Sequence, residues 1–169
     1  YLKKYIRSQN LQYVIFIPTL PHLRKIIEKK TSSWKTKTLI SNQIDKFDSY
    51  YDEVFVSITC SGTASLEIAK RNIPQLIIYK LNYFTEIILK SFVKVKNACL
   101  LNIVSKKIII PEIVNSNLSK KNILLSFEKL INDKNFQEDQ IKNFNYYLPR
   151  IEKDKCPFEI SAKRIVELI

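Results

Sequence analysis

The chain has 169 residues, 46% of them hydrophobic, which is enough for one domain with a real core and too apolar for a disordered chain. Its 28 Lys and Arg against 16 Asp and Glu give a formal net charge of +12, which favours anionic partners such as nucleic acid, phosphorylated ligands or an acidic membrane surface. One His and three widely spaced Cys argue against a polyhistidine metal centre, a zinc site, a disulfide framework and a Cys–His nucleophile pair.

Along the chain, "LQYVIFI" at 11–17 is a short apolar run ended by Pro18, and it predicts a buried parallel strand. Leu23, Ile26 and Ile27 then follow helical spacing, and "TKTLI" at 36–40 reads as a weaker strand. "EVFVSI" at 53–58 is a third strand; Leu66, Ile68 and Ala69 sit on a helix after it, and "QLIIYK" at 75–80 is a fourth strand. Phe84, Ile87, Ile88, Phe92 and Val95 have helical spacing again. The strand and helix rhythm repeats about every 20 residues, which predicts an α/β fold with a doubly wound, mostly parallel sheet. After Pro111 the pattern becomes helical, with Ile123, Leu124, Phe127, Leu130 and Ile131 on one stripe and Ser119 as its N-cap. A second helix is predicted over 134–147, Pro149 and Pro157 punctuate the chain, and 158–169 reads as a terminal amphipathic helix.

Gly62 is the only glycine, where average usage would give about ten. A strand ending near Ile58 and a helix starting near Thr63 put "TCSG" at the carboxyl edge of the sheet, where open α/β folds bind ligands. Gly62 has no side chain to block a close approach and tolerates positive φ. Ser61 or Thr63 can cap the helix and also bond an anion, which the helix dipole and free N–H groups favour there. A strand-to-helix turn also needs a small residue and a cap with no ligand involved. Glu67, about one turn beyond Thr63, can accept hydrogen bonds from ribose hydroxyls or pair along the helix with Lys70 or Arg71.

The segment "SGTASLEIAKRNIPQLIIYKLNYFTEIILKSFVKVKNACLLNIV", 61–104, resembles the C-terminal half of the lipid-A-disaccharide synthase family, glycosyltransferases with the two-domain GT-B fold. The motif S-G-T-A-x-L-E is followed in order by Ile73-Pro74, a strand ending in Tyr, a basic residue and an "xxLxNL"-like segment. The resemblance runs through 11–168 and is strongest over 59–114. It implies an inverting transfer from UDP-2,3-diacylglucosamine to 2,3-diacylglucosamine 1-phosphate, with no metal and no cofactor. It also implies a Rossmann-like UDP-binding domain over 1–149, incomplete at its N-terminus, and a helical segment over 150–169 packing toward the N-terminal domain. That domain, with the acceptor site and general base, is expected outside this chain, which begins at Tyr1, contains no Met, and would be inactive alone.

Carried over residue by residue, the resemblance places Ser61, Gly62 and Thr63 on the diphosphate, Glu67 on the ribose and Lys80 near the phosphates, with Asn102 at the catalytic cleft. Asn102 is also a residue type that bonds its own backbone in turns. The family usually has Pro before that Asn and a glycine soon after, where this chain has Leu101 and "VSKK" at 104–107; Lys80 stands where Arg is common. Lys keeps the charge but loses bidentate phosphate binding.

"YFTEIILKSFVKVK" at 83–96 sets Phe84, Ile88 and Phe92 beside Lys90, Lys94 and Lys96. The pattern fits a helix lying on an anionic membrane surface, or one packing its apolar face on the sheet with the lysines in water. Together with the acylated substrates that the resemblance implies, the first would make the protein peripheral at the cytoplasmic face of the bacterial inner membrane. Rival readings are another GT-B UDP-sugar transferase or epimerase, and a basic nucleic-acid-binding module. The latter lacks a recognition motif, and its aromatics fall at core positions, so no nucleic acid is expected as partner.

Overall fold

A computed structural model describes residues 13–43, 47–60, 62–80, 97, 99–151 and 163–167. Its five strands are β1 (Ile15–Pro18), β2 (Thr38–Ser41), β3 (Ser57–Thr59), β4 (Gln75–Tyr79) and β5 (Glu112–Val114). All described pairings are parallel: β1 with β2, and β3-β4-β5 in that order, with Thr59 opposite Ile77 and Tyr79 opposite Val114. Parallel neighbours require crossovers, and helices supply them. The helices are α1 (Arg24–Thr31), between β1 and β2; α2 (Phe47–Tyr51); α3 (Gly62–Lys70), between β3 and β4; α4 (Leu100–Ser105), between β4 and β5; and α5 (Lys120–Asn132) and α6 (Lys134–Ile151), which follow β5. The predicted α/β class with a parallel sheet is the observed one.

The centre of the molecule is β4. Alternation along it sends Ile77 to one face, packed with Ala69, Leu101, Ile110, Phe144 and Leu148 of α3, α4 and α6 and the loop before β5. Leu76 faces the other way, against Ile113, Phe127 and Leu130, the last two from α5. Leu76 and Ile77 are 0% and 1% exposed, and burying each stabilises the fold by about 2–3 kcal/mol. Helices therefore cover both faces of the three-stranded sheet.

Several boundaries differ from the sequence reading. β3 begins at Ser57 rather than Glu53, because residues 47–51 form α2 and a turn follows, closed by Val54 N–H donating to Tyr51 O at 3.0 Å. Aromatic contacts hold α2: Phe16 of β1 lies 5.0 Å from Tyr50 and 5.6 Å from Tyr51, ring centre to centre. A fifth strand replaces helix directly after Pro111, since three residues are too few to show a period and Ile77 N–H bonds Pro111 O at 2.9 Å. The predicted stripe is not buried: Leu23, in the turn before α1, and Ile26 are exposed, Ile27 is half-buried, and Thr31 is the buried residue of α1. Pro149 does not end α6 but lies in its last turn.

Other expectations hold. Ser119 caps α5, its Oγ accepting from Asn122 N–H at 3.1 Å. α6 covers and extends the helix predicted over 134–147. Residues 163–166 form one exposed helical turn of the predicted terminal helix, with Ile165 and Val166 facing solvent. The strongly apolar stretch at 83–96, with Phe84, Ile88, Lys90, Phe92 and Lys94, lies outside the described residues, as do Ser61 and Cys156.

Candidate functional site

α3 opens at Gly62, directly after β3 and residue 60, at the carboxyl edge of the parallel sheet. Parallel pairing of β3 with β4 carries Lys80, the exposed residue after Tyr79, to the same edge. Thr63 and Glu67 are both exposed and stand four residues apart, one turn, on the outer face of α3. The inner face holds Ser65, Ile68 and Ala69. Sequence periodicity thus separates α3 into a packing face and a face that can meet a ligand.

Gly62 serves a different purpose from a left-handed turn. No described glycine has positive φ, so Gly62 enters α3 with helical geometry. Thr63 is the second residue of the helix, inside it rather than at its cap. Among the described residues the left-handed positions belong to Asn72 (φ 55°), Lys106 (φ 55°) and Asn115 (φ 42°), residues other than glycine. What the single glycine supplies is the absence of a Cβ where backbone N–H groups open a helix.

Arg71, one of the two helical partners considered for Glu67, is engaged elsewhere. It turns to Asp48 of α2, forming an ion pair, and stacks its guanidinium 4.5 Å from the centre of the Tyr51 ring. Glu67 lies close enough to Tyr51 for its charge to act there: burial first, then Glu67, raise the Tyr51 phenol above its ordinary 10.0. The α2 helix, absent from the sequence reading, therefore flanks the outer face of α3.

Asn102 is 0% exposed, and its carboxamide is engaged on all sides. Its Oδ1 accepts from Ile109 N–H at 2.8 Å and Ile110 N–H at 3.0 Å, while Nδ2 donates to Ile110 O at 2.7 Å and Glu112 Oε1 at 2.8 Å. Two donors and two acceptor sites exhaust an amide. Asn102 thus organises the 105–112 loop, and a direct contact with a reacting sugar would require breaking these bonds. Glu112 Oε1 also accepts from Cys99 N–H at 3.1 Å, and the Cys99 thiol lies 3.9 Å from Ser65 Oγ. Burial pushes the Cys99 thiol above its ordinary 9.0, so it stays protonated, and Tyr79 is raised by burial and then by Glu112. Ser65 Oγ in turn donates to Gly62 O at 2.8 Å. The Gly62 turn and Asn102, 40 positions apart in sequence, are therefore joined through Ser65, Cys99 and Glu112.

Sequence reasoning missed Ser65, Gln75, Glu112 and Gln140. Ser65 occupies the open position in S-G-T-A-x-L-E, and the other three belong to residue types that periodicity reads as surface. Cys60 is exposed and free at the turn, and Cys99 is buried and free. A hollow of about 720 Å³ lined by Leu125, Glu128, Lys129, Asn132 and Asp133 lies at the joint of α5 and α6, elements other than those forming the Gly62 turn.

A family model described as lipid-A-disaccharide synthetase matches residues 3–166. The lipid-A-disaccharide synthase of Gluconobacter oxydans (strain 621H) is 26% identical over 155 residues, 90% of this chain and 37% of that protein. That of Aquifex aeolicus (strain VF5) is 33% identical over 141 residues, 83% of this chain and 36% of its own. That of Rickettsia conorii (strain ATCC VR-613 / Malish 7) is 30% identical over 143 residues, 84% and 31% respectively. The chain spans about a third of the length of these curated relatives.

Proposed function

The chain belongs to the lipid-A-disaccharide synthetase family, and from that premise we propose that it is the UDP-holding part of an inverting glycosyltransferase of lipid A biosynthesis. The donor is UDP-2,3-diacylglucosamine and the acceptor 2,3-diacylglucosamine 1-phosphate. The acceptor's 6-hydroxyl oxygen attacks the anomeric carbon as the bond from that carbon to the diphosphate oxygen breaks. UDP leaves with the electron pair, the hydroxyl proton passes to a general base, and lipid A disaccharide 1-phosphate remains.

The observation that carries this reading is the entry into α3: Gly62, without a Cβ, opens a nine-residue helix at the carboxyl edge of a parallel sheet. Backbone N–H groups there face the negative charge that grows on the leaving diphosphate. Ser61 and Thr63 add hydroxyl donors and Lys80 a cation, while Glu67, one turn along, takes the ribose hydroxyls. Asn102 acts in this scheme by holding the cleft loop rather than by touching the sugar. The general base and the acceptor site are assigned to residues outside this chain, which alone would bind UDP without transferring sugar.

The acylated substrates place the work at the cytoplasmic face of the bacterial inner membrane. Among the described residues no helix is long and apolar enough to cross a membrane. Peripheral contact is assigned to 83–96 through Phe84, Ile88 and Phe92 with Lys90 and Lys94.

Titration of isotope-labelled chain with UDP tests the reading. Amide signals from Gly62 to Glu67 are expected to shift at millimolar UDP, with uridine preferred over other bases at fixed salt. Glu67→Ala should weaken UDP binding much more than it lowers the melting temperature. Unmoved signals in this stretch, or equal loss of binding and stability, refute it.

A further inference from the structure

We propose that Gln140 of α6 is a positioning residue for the Gly62 turn, acting through Gln75 of β4; this rests on the reading of that turn as the UDP site. Both glutamines are buried, at 1% and 0% exposure. A buried carboxamide is retained only where its hydrogen bonds are made, and these make theirs in one chain of contacts leading to the turn.

Gln140 treats β4 as a neighbouring strand would. Its Oε1 accepts from Gln75 N–H at 2.9 Å and its Nε2 donates to Gln75 O at 3.1 Å. The Gln75 backbone is thereby held at both its polar groups, and its side chain is aimed along the sheet. That side chain then clamps the two sides of the turn. Its Oε1 accepts from Thr59 Oγ1 at 3.2 Å, on the last residue of β3, and its Nε2 donates to Ser65 O at 2.8 Å, in the first turn of α3. Ser65 completes the path, donating from Oγ to Gly62 O.

Thr59 and Ser65 flank the residues proposed to meet the diphosphate, so the Gln75 carboxamide sets the spacing between strand end and helix start. In a close-packed interior such spacing is not free to drift while these bonds persist. Without Gln140, the Gln75 backbone groups lose partners 65 positions away in sequence, and the clamp loses its fixed base. A helix distant in sequence from the motif thus governs how well its N–H groups are preorganised.

Gln137 supplies the control. It is also a buried glutamine of α6, one turn earlier, but its Nε2 donates to Leu130 O at 2.7 Å and Ile131 O at 3.2 Å, at the end of α5. In the full chain, Gln140→Met is expected to speed hydrogen exchange at the Gly62 to Ala64 amides and weaken UDP binding about tenfold. Gln137→Met should lower thermal stability comparably and change neither readout. Thr59→Val keeps shape and removes one arm of the clamp, so it should give a smaller change of the same kind and serves if Gln140→Met fails to fold. Equal effects of the two methionine variants, or unchanged exchange in both Gln140→Met and Thr59→Val, would overturn the inference. Failure of the unaltered chain to bind UDP would sink the nucleotide reading instead, while exchange at Gly62 to Ala64 would still decide the positioning role.

Discussion

Gly62 shows how one residue's conformational and steric roles can be separated. Its helical φ means that alanine can adopt the same backbone, and removing a glycine lowers the entropy lost on folding. Gly62→Ala is therefore expected to leave the melting temperature unchanged or slightly higher, while the added methyl blocks ligand approach and weakens UDP binding. A marked drop in melting temperature would instead assign Gly62 a purely conformational role. Cys99 makes a second case, because burial holds its thiol in the protonated form. Below about pH 9 folded and unfolded chains both keep this proton; above it the unfolded chain releases it first, so stability falls as pH rises. Tyr51 and Tyr79, both raised from 10.0, extend the same trend upward. Thermal melts from pH 7 to 11 should show a decline that Cys99→Ala makes shallower at its lower end. Part of the geometry was legible at this scale: Gly62 opens α3 after β3, Thr63 and Glu67 are exposed on that helix, and Lys80 is exposed just past the end of β4. Ser65 and Gln75 were not legible, since nothing in a polar residue's neighbours in sequence says that it is buried and satisfied.

At the scale of elements, the short ones carried the surprises. β4 is a five-residue run of which Gln75, Leu76 and Ile77 are buried and Ile78 and Tyr79 half-buried, and α5 and α6 show long helical periods; all three stand where the pattern placed them. α2, α4 and β5 have five, six and three residues, too few for a period to appear, and their existence depends on partners. Aromatic packing on Phe16 holds α2, pairing with β4 holds β5, and Asn102 ties α4 to the approach to β5. Asn102→Leu should consequently destabilise the protein by about 3 kcal/mol, because it leaves the Ile109 and Ile110 N–H groups and Glu112 without this partner. Denaturant unfolding measures this; a change below about 1 kcal/mol would mean that the loop has another anchor.

For the whole molecule, the formal charge of +12 favours attraction to anionic surfaces, and the proposed membrane contact through 83–96 is tested at that scale. Sedimentation with anionic vesicles should fall when Lys90, Lys94 and Lys96 are changed to Glu, and an unchanged pellet would remove 83–96 as the contact. By itself the sequence determined the α/β class, the long helices and the carboxyl-edge position of Gly62, because hydrophobic period and glycine usage are local properties of the chain. Its ordered motif also pointed to the family that the match over 3–166 shows. Only the tertiary structure decided that Gly62 is helical, that Asn102 is saturated by hydrogen bonds, and that Gln75 and Gln140 clamp the turn. Those outcomes depend on burial and on partners as far as 65 positions apart, and burial of a polar group follows from where its partners lie in space rather than from its own neighbours in the chain.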